Sequence, residues 1–164
     1  FHVIYSIGYA MQQLNMKILN NITWQKPNPP PNLACRYFTH STETIIWAAK
    51  NTKSKHKFNY ELMKEINDDK QMKDVWVMTA PGKAEKTYDK HPTQKPLSLL
   101  GRLILAATDE GDLVLDAFNG SGTTGVSCIR TNREYIGIEL EKEFIQLSEK
   151  RFSEQTKLND KLSA

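Results

Sequence analysis

The chain has 164 residues, enough for one domain with a substantial core. Its 22 Lys and Arg against 19 Asp and Glu leave a formal charge of +3, too mild to name a partner by itself. Composition excludes collagen-like and low-complexity chains, and no apolar run approaches the roughly 20 residues that a spanning helix needs.

Ile4, Ile7, Met11 and Leu14 recur at helical spacing and predict an amphipathic helix. Lys17 to Trp24 is rich in β-branched and aromatic residues and reads as a strand. Gln25 to Asn32 holds four prolines, which remove donors and fix φ, so it is neither helix nor strand. Thr42 to Ala49 is a second strand. The stretch from Asn51 to Lys90 is polar and lysine-rich, with a weak helix around Glu61 to Ile66 and an apolar patch at Trp76. Two basic clusters stand out: Lys50, Lys53, Lys55, His56 and Lys57, then Lys83, Lys86, Lys90, His91 and Lys95. Each is either a solvated loop surface or a track for a phosphate backbone.

The texture changes at His91. Pro96 suits a first helical position, Leu99, Leu103 and Ala106 share a face, and Gly111 is a plausible stop. Leu113 to Leu115 is a short buried strand. A glycine-rich turn and a helix to about Arg130 follow, then a strand over Tyr135 to Ile138 and a helix marked by Phe144, Ser148 and Phe152. The last dozen residues read as a frayed tail. Alternating strands and helices predict an α/β fold with a parallel sheet.

Cys35 and Cys128 are far apart and form no CxxC, which fits a reduced, cytoplasmic compartment. Both read as small packed residues rather than nucleophiles, and neither follows a proline. His2, His40, His56 and His91 lie near no cysteine or acidic cluster, so no metal site is expected.

The strongest chemical signal is DAFNGSGTTG, Asp116 to Gly125, directly after a strand and opening a helix. Glycines there allow a tight turn and close approach of a ligand to the backbone. The helix start behind them offers free N–H groups. Glu139 ends the next strand, where a carboxylate can accept both hydroxyls of a ribose. Two ligands compete. Gly120, Gly122 and Gly125 spell GxGxxG, with an acid 19 residues past Gly120, which matches a dinucleotide site and a nicotinamide dehydrogenase. Against it, Asp116 and Phe118 precede the first glycine, Thr123 and Thr124 are unusual there, and no further βαβ half follows. A nucleoside without pyrophosphate, such as S-adenosylmethionine (AdoMet), fits better. A second signal, HPTQKP from His91 to Pro96, precedes this loop.

With both motifs in place, the chain resembles the β-type DNA amino-methyltransferases of restriction–modification systems. HPTQKP is similar to their motif X, DAFNGSGTTG to motif I, and YIGIE (Tyr135 to Glu139) to motif II. ILNNITWQKPNPPPN and RYFTHSTETIIWA resemble the stretches that follow their catalytic motif, and resemble most the adenine methylases of DpnII-type systems that modify GATC. The resemblance runs from about Ile4 to Arg151. It implies a Rossmann-like AdoMet-dependent methyltransferase sheet with helices on both faces, incomplete here, and a small target-recognition insertion. On this reading residues 1–164 are part of one methyltransferase domain, 25–90 the DNA-contact region and 91–152 the AdoMet-binding part.

The resemblance also implies roles. Asp116, Phe118, Gly120 and Gly122 would line AdoMet. Ser121 and Thr123 would donate to its carboxylate from hydroxyls or backbone N–H groups. Thr93 and Lys95 would approach the methionine end, Lys95 pairing the carboxylate, and Glu139 would hold the ribose. His91 would position the Pro92 turn. Lys26, Asn28, Arg36, His40 and Ser41 are the candidate DNA contacts, with Arg36 foremost.

The expected activity is methyl transfer to adenine N6 in DNA. Cytosine N4 stays open, because the motifs present do not separate the two targets. A non-catalytic AdoMet- or DNA-binding subunit also stays open. The family's (D/N/S)PP(Y/F/W) catalytic motif is absent, and NPPP at Asn28 to Pro31 lacks the terminal aromatic. The chain alone is therefore expected to be inactive. An N-terminal segment or a partner chain is expected to supply the centre of the sheet, and a homodimer is a further expected partner.

Overall fold

The computed structural model describes residues 3–88 and 91–163, so His2 and Lys90 lie outside the described residues. It divides into two compact units, Phe1–Lys57 with Asn67–Thr79, and Phe58–Ile66 with Ala80–Ala164.

The first unit is a three-stranded sheet of order β2-β1-β3, from β1 (Lys17–Gln25), β2 (Thr42–Ala49) and β3 (Val75–Val77). β1 and β2 are antiparallel, Lys17 opposite Ala49 and Gln25 opposite Thr42, and β3 runs parallel to β1 with Trp24 opposite Trp76. The core is Ile22, Trp24, Ala49 and Trp76. Both buried indoles find acceptors, as an apolar core requires of them: Trp24 Nε1 donates to Met78 O at 2.8 Å and Trp76 Nε1 to Lys73 O at 2.7 Å. Trp47 is half-buried. The predicted first helix forms as α1 (Ile4–Gln13), but it buries no residue; Tyr5, Ile7 and Tyr9 are exposed.

The second unit contains α2 (Tyr60–Glu65), a 3-10 turn at Lys83–Glu85, α3 (Leu97–Ala107), β4 (Leu113–Asp116), α4 (Thr123–Arg130), β5 (Glu134–Gly137) and α5 (Lys142–Ser163). β4 and β5 are parallel, Leu113 opposite Glu134 and Asp116 opposite Gly137, the expected β–α–β unit of an α/β fold. Small residues let α4 sit at the centre: Gly125, Val126, Ser127 and Cys128 are buried. Tyr135 of β5 stacks edge-on with Phe152 of α5, centroids 5.7 Å apart.

Several expectations are corrected. Pro96 caps α3 from an extended conformation, φ −70° and ψ 144°, instead of opening it. The Glu85 carboxylate reaches the freed Leu97 N–H at 2.8 Å. α3 ends before Gly111, because Asn59 Nδ2 donates to Leu105 O and Thr108 O, both at 2.8 Å. The β4 strand is not buried: Leu113 and Leu115 are exposed, beside Ile136 of β5 and Ile138 just after it, while Gly125 of α4 packs against Tyr135 of β5. The tail is helical to Ser163. Polar contacts hold it to α4, with Arg130 Nε donating to Gln155 at 2.6 Å and Asn159 Nδ2 to Ile129 O at 2.9 Å. Cys128 is packed, and burial pushes its thiol pKa up to about 11, but Cys35 is exposed in a left-handed turn, φ 52°.

Candidate functional site

The site forms where β4 ends and α4 begins. Asp116, the last residue of β4, turns its carboxylate onto the loop that follows. Its Oδ1 accepts the Phe118 N–H at 3.0 Å and its Oδ2 the Thr124 hydroxyl at 2.6 Å. Gly120 and Gly122 take positive φ, 52° and 73°, to turn the chain into α4. A side chain at Gly122 would meet Ser148 Cβ at 2.6 Å, so this glycine serves the packing of α5 behind the loop.

A cavity of about 210 Å³ opens over this turn. It brings together seven of the sequence-predicted residues from two motifs: Thr93 and Lys95 on one side, Asp116, Phe118, Gly120, Ser121 and Thr123 on the other. Gly122 does not line it. His91 does, against Gly120 and with its ring 4.3 Å from that of Phe144. Its Nδ1 lies 3.3 Å from the Thr93 N–H, in position to accept. Burial lowers the His91 pKa, which favours the neutral ring.

Glu139 lines a neighbouring cavity of about 620 Å³ with Asn119, Gly137 and Ile138, and Asn119 belongs to both cavities. The Glu139 Oε2 accepts the Gly120 N–H at 2.7 Å; Oε1 accepts from Leu140 N at 2.8 Å and Glu141 N at 3.0 Å. These N–H donors, that of Glu141 first, hold its carboxyl below the ordinary glutamate range. The acid therefore ties the glycine turn to the end of β5 and keeps its charge.

Sequence reasoning passed over three residues. Asn119 is buried and accepts the Tyr135 hydroxyl at 2.6 Å, which braces the loop on β5. Gln94, inside HPTQKP, is buried and donates to Glu85 O at 2.7 Å. Arg151 is buried behind the loop, 30 residues downstream of Ser121, and donates to Ser121 O at 2.5 Å. Asn119 and Gln94 lie within motifs already visible. No local pattern announces Arg151.

The candidate DNA contacts lie in the first unit, around the β1–β2 connection. Asn28, Arg36 and His40 are exposed. His40 sits against Tyr37, ring centroids 5.4 Å apart. Ser41 accepts the Lys26 N–H at its carbonyl, 2.7 Å. Lys26 pairs with Glu43 at 2.5 Å and lies over the Trp24 ring, so its charge is already balanced within the sheet. Among the described residues, no group of three or more His, Cys, Asp or Glu could hold a metal, and no helix is long and apolar enough to cross a membrane.

Comparison with known proteins assigns the family. The family model described as DNA methylase matches residues 2–150. This chain belongs to the DNA methylase family. Among curated relatives, this methylase chain is 60% identical over 159 residues to the type II methyltransferase M2.DpnII of Streptococcus pneumoniae, covering 96% of the chain and 59% of the relative. It is 57% identical over 155 residues to M2.MboI of Moraxella bovis, covering 94% and 57%. The methylase chain thus spans less than two thirds of the length of these relatives. Its fold matches the crystal structure of an M1.HpyAVI–SAM complex with TM-score 0.77 and 37% identity, over 92% of this chain and 70% of that one. The fold is that of an AdoMet-dependent DNA methyltransferase, and the nicotinamide dehydrogenase reading of GxGxxG is set aside.

Proposed function

We propose that these residues are the AdoMet-binding and target-recognition part of a cytoplasmic DNA amino-methyltransferase that methylates adenine N6 at GATC. The observation that carries this reading is the convergence of Thr93 and Lys95 with the Asp116–Thr123 loop around one cavity. AdoMet would supply an electrophilic methyl on its sulfonium. Lys95 would pair the AdoMet carboxylate, the Ser121 hydroxyl and the Thr123 backbone N–H would donate to it, and Glu139 would accept from the ribose through the remaining lone pair of Oε2. Asn119, shared by both cavities, marks the route between the two ends of the ligand.

Arg36, exposed on the β1–β2 connection, would meet the DNA, with Asn28 and His40 beside it. Lys26 would steady the base of that connection. The (D/N/S)PP(Y/F/W) element, which in this family grips a base turned out of the stack, would come from outside these residues. The same outside element, a complementing N-terminal segment, would cover the exposed face of Leu113, Leu115, Ile136 and Ile138. Calorimetric titration with AdoMet, with NADH as control, tests the reading. Saturable AdoMet binding without NADH binding is expected. A folded protein that binds neither, or only NADH, overturns it.

A further inference from the structure

Arg151 is the one buried cation behind the cofactor cavity among the described residues, 7% exposed, and it does not line that cavity. It sits on α5 and reaches forward into the loop. One nitrogen, Nη1, donates to Ser121 O at 2.5 Å and to Thr123 Oγ1 at 3.2 Å. Thr123 Oγ1 in turn lies 3.2 Å from Ser121 Oγ. A guanidinium only donates. Thr123 Oγ1 therefore accepts from Arg151, and the cation favours the orientation in which the Thr123 proton points away from it, towards Ser121 Oγ. Ser121, its oxygen occupied by that bond, keeps its proton for whatever fills the cavity that it lines.

Burying a guanidinium is costly unless its charge is answered. Burial works against the charge of Arg151, and Glu85 and Glu154 work for it, against Arg130. Glu85 is the residue whose carboxylate holds the first N–H of α3, next to HPTQKP. Glu85 thus serves both the start of α3 and, as the largest favourable charge on it, Arg151.

We infer that Arg151 is a positioning residue for the cofactor carboxylate, acting through Thr123 and Ser121 without touching the ligand. Its charge polarises both hydroxyls in one sense and presents the Ser121 O–H to an anion in the cavity. The inference rests on the proposed placement of the methionine end of AdoMet in that cavity.

The test compares two ligands on the full-length protein: S-adenosylhomocysteine, which carries the carboxylate, and 5′-methylthioadenosine, which lacks it. Arg151→Met and Thr123→Val should each weaken S-adenosylhomocysteine by about tenfold, the scale of one charge-assisted hydrogen bond. Both variants should leave methylthioadenosine within about twofold. Arg151→Lys, which keeps a donor and the charge, should recover most of the loss. Equal weakening of both ligands, with a lowered melting temperature, would make Arg151 a purely structural brace and overturn the inference. So would unchanged affinity for both. Lys95→Ala separates the two levels: if it too leaves the ratio of the two affinities unchanged, the placement of the carboxylate has failed; if it alone shifts the ratio, only the relay has.

Discussion

Gly125 shows how little space the second unit leaves around its central helix. A Cβ there would lie 2.5 Å from Phe152 Cε1 and 2.7 Å from Tyr135 Cε1, both ring atoms of a stacked pair. Neither ring can retreat without disturbing α5 or β5. Gly125→Ala should therefore destabilise the fold by about 1–3 kcal/mol, the usual cost of overpacking, read as a lowered midpoint in urea denaturation. The reason for this glycine differs from the one its place in GxGxxG suggests: packing against α5 demands it, not a ligand. Glu139 couples the glycine loop to β5 through its charge. Its carboxyl pKa is depressed by N–H donors, so the link between loop and β5 is complete above the unfolded value of 4.5 and is lost as pH falls through the lower folded value. AdoMet affinity should follow that loss in an acid titration, and Glu139→Gln should flatten the profile. An unchanged profile in the variant would remove Glu139 from the site.

Elements were legible wherever their periodicity was local. β1, β2 and α4 lie within a residue or so of the expected bounds, because β-branched runs and a glycine-rich helix start are short-range signals. Ends set by distant partners were not legible. α3 begins at a carboxylate twelve residues upstream and finishes under the side chain of Asn59. Asn59→Ala would remove a donor from the half-buried carbonyls of Leu105 and Thr108, leaving Thr108 O to Arg133, and should cost about 1 kcal/mol, with hydrogen exchange faster over residues 104–108 than elsewhere in α3. α5 continues past its last apolar repeat for the same reason. Gln155 and Asn159, polar residues that argue against burial in a sequence, dock it on α4.

For the molecule as a whole, the division into a sheet unit and a cofactor unit separates the two proposed binding functions. Arg36→Ala should weaken DNA binding and lower the salt slope of log K by about 1, as expected when one fewer phosphate is neutralised. AdoMet affinity should stay as it was; loss of both would assign Arg36 to folding instead. The two motifs, HPTQKP and DAFNGSGTTG, were enough by themselves to determine the family, the α/β class and seven of the residues around the cavity, since each motif encodes a turn and the groups around it within a few positions. Burial could not be read this way. Leu113 and Leu115 look like core residues in any window, yet they stand exposed on β4, because burial depends on what covers a sheet face and not on the strand itself. Arg151 is the converse: an arginine on a polar helix that only the tertiary structure carries to the back of the glycine loop, where Ser121 and Thr123 accept its hydrogen bonds and the charge of Glu85 favours its own.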